Sequence, residues 1–120
     1  MRRALAVVLF LFEPFLAATL LLRVGPTLFD RDAVTAVAFA ARIVLALLSV
    51  AAAIGLQNSR PYAGRLALMV LIASASFAVL QYFTRVLPTS LAPDVAGLLT
   101  IAVVIHHSFW AIGVVRGVRA

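Results

Sequence analysis

The sequence predicts an all-α protein, a four-span transmembrane helical bundle built from two parallel-repeat helical hairpins. Three observations carry that reading. Apolar runs of about 20 residues recur four times, separated by short clusters of Arg, Asp, Pro or Gly. With 65% hydrophobic residues, 12% charged residues and a mean hydropathy of +1.16, the chain lies far outside the range of water-soluble domains. The stretch Arg23 to Asp32, RVGPTLFDRD, returns at Arg85 to Asp94 as RVLPTSLAPD.

Both copies of that stretch spell Arg-Val-x-Pro-Thr, then four residues, then Asp. The ungapped offset of 85 − 23 = 62 also places Arg3 on Arg65, Val8 on Val70, Leu9 on Leu71, Phe15 on Phe77, Ala40 on Ala102, Ile43 on Ile105 and Gly55 on Gly117. This gives 12 identities in 58 aligned positions, and the excess over what residue frequencies alone would supply sits mostly in the loop. The deep polar residues do not repeat. Glu13 aligns with Ala75, Arg42 with Val104, and His106 and His107 with Val44 and Leu45.

At 1.5 Å per residue, about 20 residues cross a hydrocarbon core of about 30 Å. The first span is expected from about Ala4 to Leu22. A signal peptide would also begin with a positive cluster such as Met1-Arg2-Arg3, but Glu13 and Pro14 interrupt the apolar run and no small-x-small cleavage site follows. Asp32 is placed to cap a second span from about Ala33 to Leu56, its carboxylate accepting from free backbone N–H groups. Asn58 to Pro61 form a turn, with Pro61 at a first helical position where its missing N–H has no cost. A third span runs from about Tyr62 to Leu87. Pro88 and Pro93 bracket the second loop, Asp94 is expected to repeat the cap of Asp32, and a fourth span covers about Val95 to Val115. Loops this short make consecutive helices antiparallel neighbours.

Four spans occupy nearly the whole chain and leave no room for a soluble catalytic domain. The net charge of +6 comes from ten Arg and no Lys. Because these arginines are spread between spans, lipid phosphates rather than nucleic acid are the expected partners. The absence of Cys excludes disulfides and thiolate metal sites. Arg2, Arg3, Arg60, Arg65, Arg116 and Arg119 fall on one side with no acid, whereas Arg23, Arg31 and Arg85 share the other with Asp30, Asp32 and Asp94. The positive-inside rule then puts both termini in the cytoplasm, for an integral protein of a bacterial inner membrane. Two hairpins, each crossing out and back, make a parallel repeat about an axis along the membrane normal.

Glu13 and Arg42 each lie at about the middle of their spans, entered from opposite sides, so antiparallel helices bring them to one depth. Each charge alone costs about 2.5–3.5 kcal/mol at the bilayer centre, and pairing relieves both. The face of span two that carries Arg42 reads Thr35, Ala38, Arg42, Ala46, Ser49, Ala53, small residues that allow close approach. The alternatives are an Arg42 that snorkels to the headgroups and a Glu13 that keeps its proton. Pro14 cannot donate to the Phe10 carbonyl, so a helix kink beside Glu13 is expected. Ser74, Ala78, Gln81 and Arg85 form one stripe on span three, lining a polar crevice or packing against a neighbour. His106 and His107 project about 100° apart, so they cannot bind one metal as an i, i+4 pair would. Hydrogen bonding within the bundle, proton relay and axial haem ligation remain open for them. Gly113 and Gly117, with Ala51 and Gly55 as counterparts, form a candidate close-packing motif.

There is no enzyme signature, metal cluster or phosphate loop, and no cofactor is expected. The first function class is an interaction or accessory subunit that packs against itself or a larger membrane complex, with the Glu13 and Arg42 pair fixing its register. The second is a small oligomeric proton-coupled transporter using Glu13. In its four spans, its length and the single embedded Glu13 of span one, the chain resembles the small multidrug resistance transporters. That resemblance covers layout and Glu13 only, and implies a proton exchanged at Glu13 for a substrate. A haem- or quinone-linked subunit is the third class.

The orientation has a direct test. Single cysteines introduced beside Met1 and Ala120 are expected to stay unlabelled by an impermeant thiol reagent in intact cells, while one beside Asp30 is labelled.

Overall fold

Each of the four apolar runs forms one long helix in the computed structural model, which describes residues 2–30, 32–87 and 91–119; of Arg2, Leu28, Phe29, Val118 and Arg119 it describes the backbone alone. The helices are α1 (Arg2–Val24), α2 (Ala33–Gln57), α3 (Ala63–Thr84) and α4 (Pro93–Arg119), with a 3-10 segment at Gly25–Asp30 between the first two. All four are long and apolar enough to cross a membrane. The bundle is 47 Å along its longest axis, enough for a hydrocarbon core of about 30 Å and both interfaces. Of the loop residues discussed above, Arg31, Pro88 and Thr89 lie outside the described residues.

Helix ends follow from local chemistry. Asp32 has extended backbone and its side chain accepts from the Thr35 N–H at 2.8 Å, which satisfies one free donor of α2. At the other end, Ser59 takes a left-handed conformation (φ 53°), the Arg60 N–H bonds the Gly55 carbonyl at 2.9 Å and the Ser59 N–H bonds Leu56. This is a Schellman stop with Ser in the place glycine usually holds. α1 runs unbroken through Pro14, and one turn before it the Leu9 carbonyl accepts from Ser49 of α2.

Two expectations about the second loop are corrected. α3 ends at Thr84 rather than Leu87, because Arg85 turns left-handed (φ 49°) and the Gln81 side chain both accepts from the Leu87 N–H at 2.9 Å and donates to its carbonyl at 2.6 Å. Asp94 does not repeat the cap of Asp32. Pro93 opens α4, which places Asp94 inside the first turn, where its carboxylate meets the Val95 N–H at 3.0 Å and still complements the helix dipole. The two Arg-Val motifs therefore differ in backbone: Arg23 closes α1, whereas Arg85 leaves α3. The residue aligned with Gln81 is Thr19, too short for the same clasp, and it donates to Leu16 within its own helix.

α1 packs most extensively on α2, and α3 on α4, while α2 against α3 joins the hairpins. Apolar attraction is weak between helices already in lipid, so close fit between small residues carries the packing. Ala6, Ala52, Ala53, Ala63 and Ala67 are buried at the terminus-side end with Leu5, Leu9, Val70 and Leu71. A smaller cluster of Leu20, Val24, Phe39 and Leu87 closes the loop-side end. Large apolar side chains such as Phe15, Leu22, Leu98 and Phe109 point outward, as lipid-facing positions require.

At Gly55 the end of α2 lies close against the start of α3. A Cβ built there would lie 3.0 Å from the Ala63 Cβ and 3.1 Å from the Tyr62 ring, whereas one at Gly117 would meet nothing within 4 Å. The expected close-packing role thus belongs to Gly55 and not to Gly117, where α4 offers open space. Gly55→Val is expected to lower the thermal midpoint of the purified protein in mild detergent by several degrees, and Gly117→Val, with the same change in helix propensity, to lower it far less.

Candidate functional site

Between the two apolar clusters lies a layer of polar side chains drawn from all four helices. Glu13 (2% exposed), Arg42 (9%), Ser74 (0%) and His107 (3%) are buried together. The Arg42 Nη1 is 3.5 Å from the Glu13 Oε2, so α1 and α2 do bring the acid and base to one depth. That separation is longer than the ~2.7–2.9 Å of a charge-assisted hydrogen bond, and neither of those two atoms has a hydrogen-bond partner. Instead, the guanidinium carbon of Arg42 sits over the Phe77 ring, 5.0 Å from its centre. A cation over an aromatic face in a desolvated setting gains about 2 kcal/mol.

The other carboxylate oxygen is held by hydrogen bonds. Ser74 Oγ donates to Glu13 Oε1, and His107 Nε2 lies 3.0 Å from Ser74 Oγ and 4.0 Å from Glu13 Oε1. His107 Nδ1 is 3.3 Å from His106 Nδ1, and the Trp110 indole donates to His106 Nε2 at 3.1 Å. The two ends of this series fix its direction. An indole N–H only donates and an ionised carboxylate only accepts. His106 therefore accepts at Nε2 and carries its proton on Nδ1; His107 accepts at Nδ1 and carries its proton on Nε2; Ser74 accepts from His107 and donates to Glu13. The protons are assigned from this network, and every hydrogen bond in it points toward Glu13.

Phe12, one residue before Glu13, lies 5.8 Å from His106 and 4.9 Å from His107 between ring centres. The Phe12 ring of α1 thus packs against both imidazoles of α4. All four ring nitrogens are engaged, which leaves none for axial ligation of a haem in this arrangement. Among the described residues, no group of three or more His, Cys, Asp or Glu is placed to hold a metal ion.

Above the polar layer, toward the loops, a cavity of about 210 Å³ is lined by all four helices and the second loop, and Arg42 forms part of its wall. Three members of the predicted stripe, Ala78, Gln81 and Arg85, line it, while the fourth, Ser74, belongs to the chain that holds Glu13. Arg23, Tyr82 and Phe77 also line it and were not anticipated. A usable signal was present for Arg23, since a 62-residue offset pairs it with Arg85. Phe77 had no such mark: an aromatic in a lipid-embedded helix is ordinary until its neighbour is known to be a cation. Asp32 remains a helix cap outside the polar layer.

The directed chain has a spectroscopic consequence. Nitrogen-15 NMR of histidine-labelled protein in nanodiscs is expected to show His106 as the Nδ1–H tautomer and His107 as the Nε2–H tautomer, and Ser74→Ala is expected to disturb the His107 signals more than those of His106.

Compared with protein-family models, with curated proteins and with solved structures, the chain matches none of them.

Proposed function

We propose that this protein is a small proton-coupled membrane carrier without enzymatic activity, in which Glu13 alternates between pairing with Arg42 and holding a proton. The observation that carries this reading is a buried acid and base in contact at mid-bundle, with a directed hydrogen-bond chain on one side of the pair and an open-walled cavity on the other. A structural lock needs the contact alone. Ionisable groups placed this deep in a membrane bundle usually mark a substrate or proton path.

Proton delivery along the chain balances. A proton taken up at His106 Nε2, once the Trp110 indole has moved aside, allows the Nδ1 proton of His106 to pass to His107 Nδ1. The Nε2 proton of His107 passes to Ser74, and the Ser74 proton passes to Glu13. One proton enters and one arrives. Trp110 is then the gate of the path and Phe12 its insulation. Pro14, next to Glu13, removes one helix hydrogen bond at the level where a local change of pairing is needed.

In this reading both termini face the cytoplasm, because six arginines without an acid occupy that end, and the halves descend from one hairpin whose loop has been kept. The second reading, an accessory subunit assembled with itself or with a larger complex, is favoured by the fact that each helix supplies one member of the buried layer, as a register lock would.

Proteoliposomes with a pH-sensitive dye inside separate the two. For a carrier, adding a small anion or cation from a panel is expected to start proton movement that Glu13→Gln abolishes and Trp110→Phe alters in rate. An accessory subunit moves no protons with any member of the panel and co-purifies with a stable partner.

A further inference from the structure

Three arginines converge on the loop-side cavity. Arg42 lies in its wall at mid-membrane depth, and Arg23 and Arg85 line it from the ends of α1 and α3. Among the described residues, no carboxylate lines it, and Arg23 and Arg85 have no carboxylate within ion-pair distance. Thr19, Gln81 and Thr100 add polar groups to otherwise apolar walls.

The mouth and the floor differ in what their arginines can do alone. Arg23 and Arg85 are exposed and reach water or lipid headgroups by snorkelling. Arg42 is buried at mid-bundle and does not. Its Nη1 has no hydrogen-bond acceptor, its contact with Glu13 is an ion pair at 3.5 Å, and Phe77 covers one face of the guanidinium. Like charges around a low-dielectric cleft repel one another and raise the local concentration of an opposite ion. Planar guanidinium groups bind carboxylate and phosphate through paired N–H donors. The volume, about 210 Å³, is below the roughly 300–1,000 Å³ of drug-sized pockets, and suits a compact anion or a headgroup.

We infer that this cavity is an anion site, binding a phosphate-type group between Arg42 at its floor and Arg23 and Arg85 at its mouth. The assignment of that anion as the transported species rests on the carrier reading; the binding does not. Two sources share this chemistry, a free phosphate compound entering from the loop side and the headgroup of an anionic lipid in the adjoining leaflet.

The test uses the full chain in nanodiscs. In nanodiscs of phosphatidylcholine alone, inorganic phosphate is titrated by calorimetry; in nanodiscs doped with phosphatidylglycerol, retained lipid is counted by native mass spectrometry. Arg23→Gln with Arg85→Gln is the principal variant, because both positions are exposed and the buried layer stays intact, as helical circular dichroism and the histidine NMR signals would show. Arg60→Gln with Arg65→Gln, at the opposite end, is the control. Saturable phosphate binding, weakened at least tenfold by the first pair and unchanged by the second, supports the site with a free anion. Lipid retention that follows the same pattern without phosphate binding supports it with a headgroup. Binding in neither arm, or binding that the Arg23 and Arg85 changes leave intact, overturns it. Proton movement driven by cations alone, with phosphate still bound, overturns the transport assignment and leaves the site standing.

Discussion

The bundle depends on one constraint: Glu13 and Arg42 are both buried at mid-bundle, so each charge must be answered mainly by protein. They answer each other incompletely. One carboxylate oxygen is held by Ser74 with His107 behind it, while the oxygen nearer Arg42 and the nitrogen facing it make a contact without a hydrogen bond. Removing one partner of a buried pair costs far more than the pair itself contributes. The geometry of the four helices is consequently tied to this layer, and the small residues on α2 are what let α1 come close enough for contact to occur.

Around that layer the molecule divides by chemistry along its long axis. The terminus-side half holds the larger, alanine-rich cluster, where Gly55 comes close to Tyr62 and Ala63, and beside it a cavity of about 890 Å³ lined by Leu5, Leu56, Arg60, Arg65, Gly113 and Gly117. The loop-side half has a smaller apolar cluster and accommodates a cationic cavity. The histidine series reaches Glu13 from α4, on the opposite side from Arg42. An arrangement in which a carboxylate has a base on one side and a donor chain on the other gives it two alternative partners.

The four helices were legible because lipid imposes a simple rule: about 20 apolar residues per crossing, with charges confined to the ends. The meeting of Glu13 and Arg42 was legible from depth alone, since antiparallel neighbours share a level. Depth does not give rotation about a helix axis. For that reason Ser74, Gln81 and Arg85 read as one stripe by spacing, while the Ser74 hydroxyl turns to Glu13. The Gln81 clasp on Leu87 was unreadable for a different reason, because it depends on a left-handed residue at Arg85 that is not glycine. Pro93 did signal that α4 starts early. Because the position 62 residues before Pro93 is Arg31, the likeness between the two loops does not extend to where their following helices begin. The direction of the histidine series required atomic distances, because adjacent helical positions are compatible with several hydrogen-bond arrangements.

The order of the residues along the chain bears on how the protein is made. Both mid-membrane charges belong to the first 42 residues and to a single hairpin, whose two helices form the most extensive interface in the molecule. A hairpin of α1 and α2 thus contains both an acid and its neutralising base, while the hydroxyl and imidazole groups that refine the arrangement come from later in the chain. A reversed order, with the arginine on the last helix, would leave the acid stranded for the whole of synthesis.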